Sequence, residues 1–438
     1  MTKRNITIIG ATRGLGKWIA KYLNNFEHNI TITSRNSKEG KIVANKLKVN
    51  YSNNNIKAIQ NADIIIFAVP LDKMEETIKE IAPYAPPNSV LIDIASIKIN
   101  SANALKKYAP ENTEILPTHP MFGPRLPSLE GQIVILTPTD INGSWFKIIK
   151  KFLIQENTHI IISSPEEHDK MMSIVQGLTH FTYITLASTI KKLNISMKES
   201  RNFASPIYNM MLDMISRIVA QNPYMYYAIQ KQNPETRKSR NCLINEINYM
   251  NNLIEKGDEK TFVSIMSNSA KHFDDFEESL GRSDKAINAL NTELVYLKNN
   301  IGMEVGLKHR YNGNIHVGII SEVNNEVVII NKSNKQLKIK ISNIDILSKE
   351  ELLDWKKNNL NRYYYDLSVI FSKSCDEGIL ADIFRKIDQV IDVDIIDEYY
   401  GNQISYDQMS ITFHYSVFDK EDRFVVEDYI QGMGGIIR

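Results

Sequence analysis

The chain has almost no cysteine: Cys242 and Cys375 are the two in 438 residues. They lie far apart, so their spacing offers neither a disulfide framework nor a thiolate metal site, and the chain suits a reducing cytosol. Long apolar runs are missing as well. No stretch approaches the ~20 residues that span a bilayer. The start, Met1-Thr2-Lys3-Arg4, leads into a strand and not a secretory leader. A cytoplasmic protein outside the membrane is expected. Surplus charge is absent too: 52 basic residues face 51 acidic ones. Without a basic excess there is no global footprint for nucleic acid. What remains is ordinary globular composition, 43% hydrophobic and 24% charged. The length accommodates roughly two to four domains.

Residues 1–165 read as an α/β dinucleotide domain of Rossmann type. A β-branched strand at 5–9 meets the turn Gly10-Ala11-Thr12-Arg13-Gly14-Leu15-Gly16, and a helix follows at 17–23. Gly10 permits the tight turn and Gly16 permits close helix-to-strand approach. The helix N-terminus then offers N–H groups to a pyrophosphate. Thr12 stands where the pattern has its middle glycine, and Gly14 is an extra one. The second strand, 29–33, ends at Ser34-Arg35-Asn36, with no acid for a ribose 2′-hydroxyl. Arg35 can fork onto a 2′-phosphate, so the expected cofactor is NADP, with NAD the alternative. Buried strands at 63–70 and 89–94 end at Val69-Pro70 and before Ser96-Ile97-Lys98. Ligands of open α/β sheets bind just past such strand ends. A strand at 132–137, a helix near 145–153 and a strand at 159–162 complete the domain.

Past another strand end lies Leu116-Pro117-Thr118-His119-Pro120-Met121-Phe122-Gly123-Pro124. It reads as a loop braced by three prolines. Each proline fixes its own φ and drives the preceding residue towards extended geometry. That is a way to hold the His119 imidazole still, as a general base requires.

Residues 166–300 read as helices, with runs at 203–221, 235–256, 259–280 and 283–299 and stops at Gly257 and Gly281. Arg217 sits among Met210, Met211, Met214, Ile215 and Ile218 and needs a partner. Either Asp213, four residues back, or an anionic ligand supplies it. His180 is a core histidine or a ligand contact, and the Tyr224–Tyr227 run reads as packing. Residues 301–348 form a small antiparallel β module. It has a hairpin at Asn324-Asn325 and a second turn at Ser333-Asn334. A helical linker at 349–360 precedes residues 362–438, whose order β-α-β-β-α-β is ferredoxin-like. This last segment holds 7 basic and 15 acidic residues, a balance of −8 that argues against RNA.

Ile92-Asp93-Ile94-Ala95-Ser96-Ile97-Lys98, followed by Thr118-His119-Pro120-Met121-Phe122-Gly123-Pro124, resembles the prephenate dehydrogenase family. Glu167-His168-Asp169, Leu178-Thr179-His180-Phe181 and the run from Met214 to Pro223 extend the likeness over about the first 300 residues. The layout is that of archaeal-type members with a C-terminal ferredoxin-like extension. That extension is itself similar to anticodon-binding domains of phenylalanyl-tRNA synthetase and to amino-acid-sensing ACT domains. The resemblance implies oxidative decarboxylation of prephenate to 4-hydroxyphenylpyruvate in tyrosine biosynthesis. His119 would be the proton acceptor, with its pKa near working pH, and Ser96 would align it. Arg217, His180 and Lys98 would bind the substrate. A homodimer built on the helical domain and a tyrosine effector are implied as well; no metal is. Arogenate dehydrogenase and a non-catalytic NADP-binding regulator are the alternatives.

Overall fold

Six parallel strands form the first sheet: β1 (Asn5–Ile9), β2 (Asn29–Thr33), β3 (Asn50–Ser52), β4 (Ile64–Phe67), β5 (Val90–Asp93) and β6 (Glu114–Ile115). Their spatial order is β3-β2-β1-β4-β5-β6, the doubly wound dinucleotide order with its switch point between β1 and β4. Ile8, Ile32, Ile65 and Leu91 are fully buried, as strands covered on both faces require. Five helices connect them: α1 (Gly14–Asn24), α2 (Ser37–Leu47), α3 (Asn55–Ile59), α4 (Met74–Ile81) and α5 (Ile99–Tyr108). The structure is a computed structural model and describes residues 3–273, 275–332 and 335–438.

The expected loop around His119 is instead a strand, β7 (Thr118–Pro120), at the edge of a separate three-stranded sheet. It pairs antiparallel with β8 (Ile133–Leu136), His119 opposite Ile135. β8 runs parallel to β9 (His159–Ile162), and α6 (Ser144–Gln155) connects them. An edge tolerates Pro120, which has no N–H to donate. The extended geometry forced by Pro117 and Pro120 is therefore strand geometry.

The helical part begins with α7 (Pro165–Met172), capped by Ser164, whose hydroxyl accepts from the Glu167 N–H at 3.1 Å. A π-helical turn, Ser173–Leu178, leads into α8 (Thr179–Lys192). Then come α9 (Met197–Arg201), α10 (Pro206–Val219), α11 (Pro223–Gln232), α12 (Thr236–Lys256) and α13 (Glu259–Ala270). Gly257 ends α12 in the left-handed region, φ 66°. Gly281 ends nothing. It lies inside α14 (Phe276–Asn299), where one exposed glycine costs only about 1 kcal/mol against alanine. The helix break falls between Ala270 and Phe276 instead.

The chain divides into two units, Met1–Asp274 and Asp275–Arg438. α14 thus groups with the second unit and not with the helices before it, because Leu297 is fully buried in the core of the β module. That module is a five-stranded antiparallel sheet of β10 (Glu304–His309), β11 (Ile315–Val323), β12 (Val327–Lys332), β13 (Lys335–Lys340) and β14 (Ile344–Ile346). Asn324 Oδ1 accepts from the Glu326 and Val327 N–H groups, both at 2.9 Å, and so makes the expected hairpin turn. The turn expected at Ser333-Asn334 lies outside the described residues.

A capping box of Ser348 and Glu351 starts α15 (Lys349–Asn359). The last sheet holds β15 (Tyr363–Ser372), β16 (Asp392–Tyr399), β17 (Gln408–Val417) and β18 (Ile436–Ile437), with α16 (Glu377–Arg385) and α17 (Asp422–Gly432). Its antiparallel order, β16-β17-β15-β18, is the ferredoxin-like one.

Candidate active site

The β1–α1 turn is built for a dinucleotide. Gly10 has φ +85°, and a Cβ there would lie 2.9 Å from Val69 Cγ1 and 3.1 Å from the Ala68 carbonyl oxygen. At Gly16 a Cβ would lie 2.7 Å from Ala68 Cβ, so glycine is required for α1 to approach β4. Gly14, at φ +58°, has open space where its side chain would be. Arg13 is the N-cap residue of α1 and makes no capping bond. The first N–H groups of α1 are therefore free for a phosphate, and the helix dipole favours one there. Thr12 is buried in the turn, and Pro70 opens the bend after β4. These residues fit a pyrophosphate cradle. At the end of β2, the Ser34 hydroxyl donates to the Asn36 carbonyl at 2.8 Å, and Asn36 caps α2. Arg35 is exposed, whereas Arg13 pairs with Glu39 at 3.0 Å.

The second cluster lies around β7. His119 is 3% exposed, and its Nδ1 lies 2.9 Å from His168 Nε2. His168 Nδ1 lies 2.7 Å from Asp169 Oδ1. The Asp169 carboxylate also accepts from the Lys98 N–H at 2.8 Å and the Ile99 N–H at 3.0 Å, at the start of α5. A carboxylate accepts only, so it sets the direction of the whole chain. His168 donates from Nδ1 and accepts at Nε2, and His119 then donates from Nδ1. The lone pair left over is on His119 Nε2. Burial first, then the neighbouring His168 and Lys98, hold the His119 imidazole well below its ordinary pKa. The expectation of a pKa near working pH is corrected: the base is held fully neutral.

Lys98 was expected in the substrate pocket, and the structure places it elsewhere. Its side chain is 0% exposed and ion-paired with Asp93, also 0% exposed. Its Nζ donates to the Thr118 carbonyl at 2.7 Å, one residue before the histidine. Burial pushes the Lys98 ammonium down in pKa while Asp93 pulls it up. Lys98 thus supports β7 from beneath. His168, part of the Glu167-His168-Asp169 likeness, is the direct partner of His119.

Gln176 carries no signal in the sequence beyond being polar in an apolar helix. The π-helical turn brings its Nε2 to 3.3 Å from His119 Nε2, and its Oε1 is buried without a partner. His180, four residues on, also has a buried unpartnered atom, Nδ1. Its ring meets Tyr226 edge-on at 4.7 Å, and burial pushes its pKa down to about 4. Of the Tyr224–Tyr227 run only Tyr226 packs; Tyr224 and Tyr227 are 80% and 64% exposed. Arg217 does not pair with Asp213, whose carboxylate is taken by Arg201 at 2.6 Å. Arg217 is exposed; burial pushes the Tyr226 hydroxyl up in pKa, and the Arg217 charge works against that. Ser96 is half-buried, and no hydrogen bond joins it to His119.

A dinucleotide cradle on a doubly wound sheet, with a buried neutral histidine past its strand ends, defines a nicotinamide-dependent dehydrogenase. The family follows from comparison with known proteins. The model described as "Prephenate dehydrogenase, nucleotide-binding domain" matches residues 19–162, and "Prephenate dehydrogenase, dimerization domain" matches residues 164–268. A Methanocaldococcus jannaschii protein named "Probable arogenate/prephenate dehydrogenase" is 40% identical over 99% of this chain and 98% of its own length. A Schizosaccharomyces pombe relative named "Probable prephenate dehydrogenase [NADP(+)]" is 21% identical over 64% of this chain and 65% of its own. The Aquifex aeolicus prephenate dehydrogenase, solved with hydroxyphenyl propionate and NAD+, superposes with a TM-score of 0.52. It has 21% identity and covers 62% of this chain and 98% of that one, a likeness of fold. The chain belongs to the prephenate dehydrogenase family.

Proposed function

We propose that the protein converts prephenate to 4-hydroxyphenylpyruvate with NADP. The observation that carries this is the Asp169–His168–His119 chain, whose bonding direction puts the His119 lone pair on Nε2, where only the long 3.3 Å contact from the Gln176 amide meets it among the described side chains. His119 takes the proton of the C4 hydroxyl as the C4–H bond breaks. NADP, which the Gly10–Gly16 turn and the free N–H groups of α1 would hold, would supply the hydride acceptor. The ring is then a dienone. Its C1–carboxylate bond breaks, carbon dioxide leaves, and the electron pair restores aromaticity as the C4 oxygen becomes a phenolate, which takes the proton back from His119. Gln176 and His180, with their unpartnered buried atoms, contact the substrate beside His119. Arg217, with no carboxylate of the described residues paired to it, takes a substrate carboxylate, and Ser96 meets the C4 hydroxyl. Burial excludes water from the base.

Arogenate is the second reading, supported by the double name of the Methanocaldococcus relative. Purified protein with NADP and either substrate, followed by reduced-cofactor absorbance, decides. Prephenate should give the higher kcat/KM. Reduction with neither substrate rejects the function, and a preference for arogenate rejects the substrate.

Arg217→Ala should raise KM by about tenfold or more with kcat little changed, since a charge-assisted bond contributes roughly 1.5–3 kcal/mol. An unaltered KM in steady-state kinetics removes Arg217 from binding. For the cofactor, the exposed Arg35 and the lack of an acid at the end of β2 support NADP. Arg35→Asp should weaken NADP by at least about tenfold and improve NAD. Equal NADP affinity in a fluorescence titration rejects that role.

A homodimer is part of the reading. α8 has no buried residue despite Phe181, Ile184 and Leu186, and Phe203 and Ile207 are 92% and 70% exposed. A second copy would cover them. No described helix is long and apolar enough to cross a membrane, and the acidic ferredoxin-like domain is read as a sensor, with tyrosine as its effector.

A further inference from the structure

A cavity of about 490 Å³ lies between the first sheet and helices α1 and α6, within the size range of small-molecule sites. Its floor is Ile6, Ile66 and Ile92, from strands β1, β4 and β5. Its walls are aromatic: Trp18 and Tyr22 of α1, Trp145 and Phe152 of α6, and Phe122 beyond β7. None of the residues placed at the active site lines it. Thr118 and Pro120 do, and side chains alternate along a strand. The cavity is therefore on the opposite face of β7 from His119. Its polar residues lie at another edge of the sheet as well. Arg4 and His28 precede β1 and β2, at the amino ends of parallel strands, whereas the cofactor crevice is at the carboxyl ends.

The charged residues are of one sign. Arg4 and Lys151 line the cavity and no Asp or Glu does, and the His28 imidazole beside them is pushed down in pKa by burial and by Arg4. The Arg4 guanidinium lies 5.0 Å from the centre of the Trp145 ring. His28 Nδ1 is buried with no hydrogen-bond partner, and the Tyr22 hydroxyl is already committed to Glu156. An apolar interior walled by ring faces selects a flat apolar body, and a basic mouth with a free imidazole nitrogen selects one anionic end.

We propose that this cavity binds an aromatic monocarboxylate, its ring against the wall formed by Phe152 and the Trp18–Phe122 pair, which meet edge-on at 5.3 Å, and its carboxylate at Arg4, Lys151 and the His28 imidazole. The site is separate from the reaction described above and does not depend on it. An occupant touches Thr118 and Pro120 on either side of the base. It also touches Trp18 on the helix whose N-terminus faces the cofactor, so binding is positioned to alter both.

Two of the three tryptophans, Trp18 and Trp145, line the cavity, and the third is Trp355. In a Trp355→Phe background, intrinsic fluorescence therefore reports the site. Titration with 3-phenylpropionate should give a saturable change. Affinity should fall at least tenfold in Lys151→Glu and in Ile148→Phe, which fills the mouth, and at least tenfold for the neutral 3-phenylpropanamide. It should be unchanged in Arg217→Ala, the variant expected to weaken carboxylate binding at the active site. No saturable change overturns the proposal, as does a change indifferent to Lys151→Glu and Ile148→Phe. Loss in Arg217→Ala places the probe at the active site and also overturns it, and octanoate binding equally well overturns the aromatic class. If Ile148→Phe does not fold, Lys151→Glu, at an exposed position, carries the same decision.

Discussion

His119→Asn is expected to lower kcat by about 10²–10⁴-fold, the usual contribution of a positioned general base. Asparagine keeps a donor towards His168 Nε2 and removes the lone pair now on Nε2. Prephenate affinity, measured by equilibrium binding, should stay within a few-fold, because the proposed Arg217–carboxylate contact is untouched by this substitution. Near-normal turnover would remove His119 from the base role. Both histidines are buried, and the Asp169 carboxylate is held by the first N–H groups of α5, so the chain Asp169–His168–His119 has one bonding direction.

The second large effect is on stability. Lys98→Ala leaves Asp93 buried without its cation, with Oδ2 already unpartnered. Removing one member of a buried pair costs about 3–5 kcal/mol. The urea midpoint of the first unit's transition should fall accordingly. Activity of the fraction still folded should drop as well, because the Thr118 carbonyl loses its donor and β7 loosens next to the base. An unchanged midpoint would mean that the buried pair contributes nothing to stability, and the supporting role given to Lys98 would be wrong.

The parts legible in the sequence are those whose physics is local. Gly10 and Gly16 announce the turn because no side chain fits at either position. The β-branched runs announce the parallel strands, and alternation announces the ferredoxin-like end. The histidine at 119 was legible through its prolines, although they concealed a strand: extended geometry without N–H donors looks the same in a loop and at a sheet edge. What the sequence hides is long-range pairing. His168 meets His119 across 49 positions, and Asp169 meets the Lys98 N–H across 71. A lysine past a strand end reads alike whether it faces substrate or, like Lys98, is sealed beneath a strand. Gln176 reaches the base only because a π-helical turn rotates it there, and no residue pattern announces that turn.

The central claim, that His119 presents a neutral Nε2 because Asp169 orients His168 and His168 orients His119, is tested most directly by nitrogen NMR. Protein with ¹⁵N-labelled histidine would be compared at pH 7 with the His119→Asn and His168→Asn variants, which assign the two rings. Both rings should carry their proton on Nδ1, with Nε2 unprotonated, and His119 should stay neutral well below pH 6.5. A His119 ring protonated at Nε2, or one that titrates near 6.5 like a free histidine, would contradict the account.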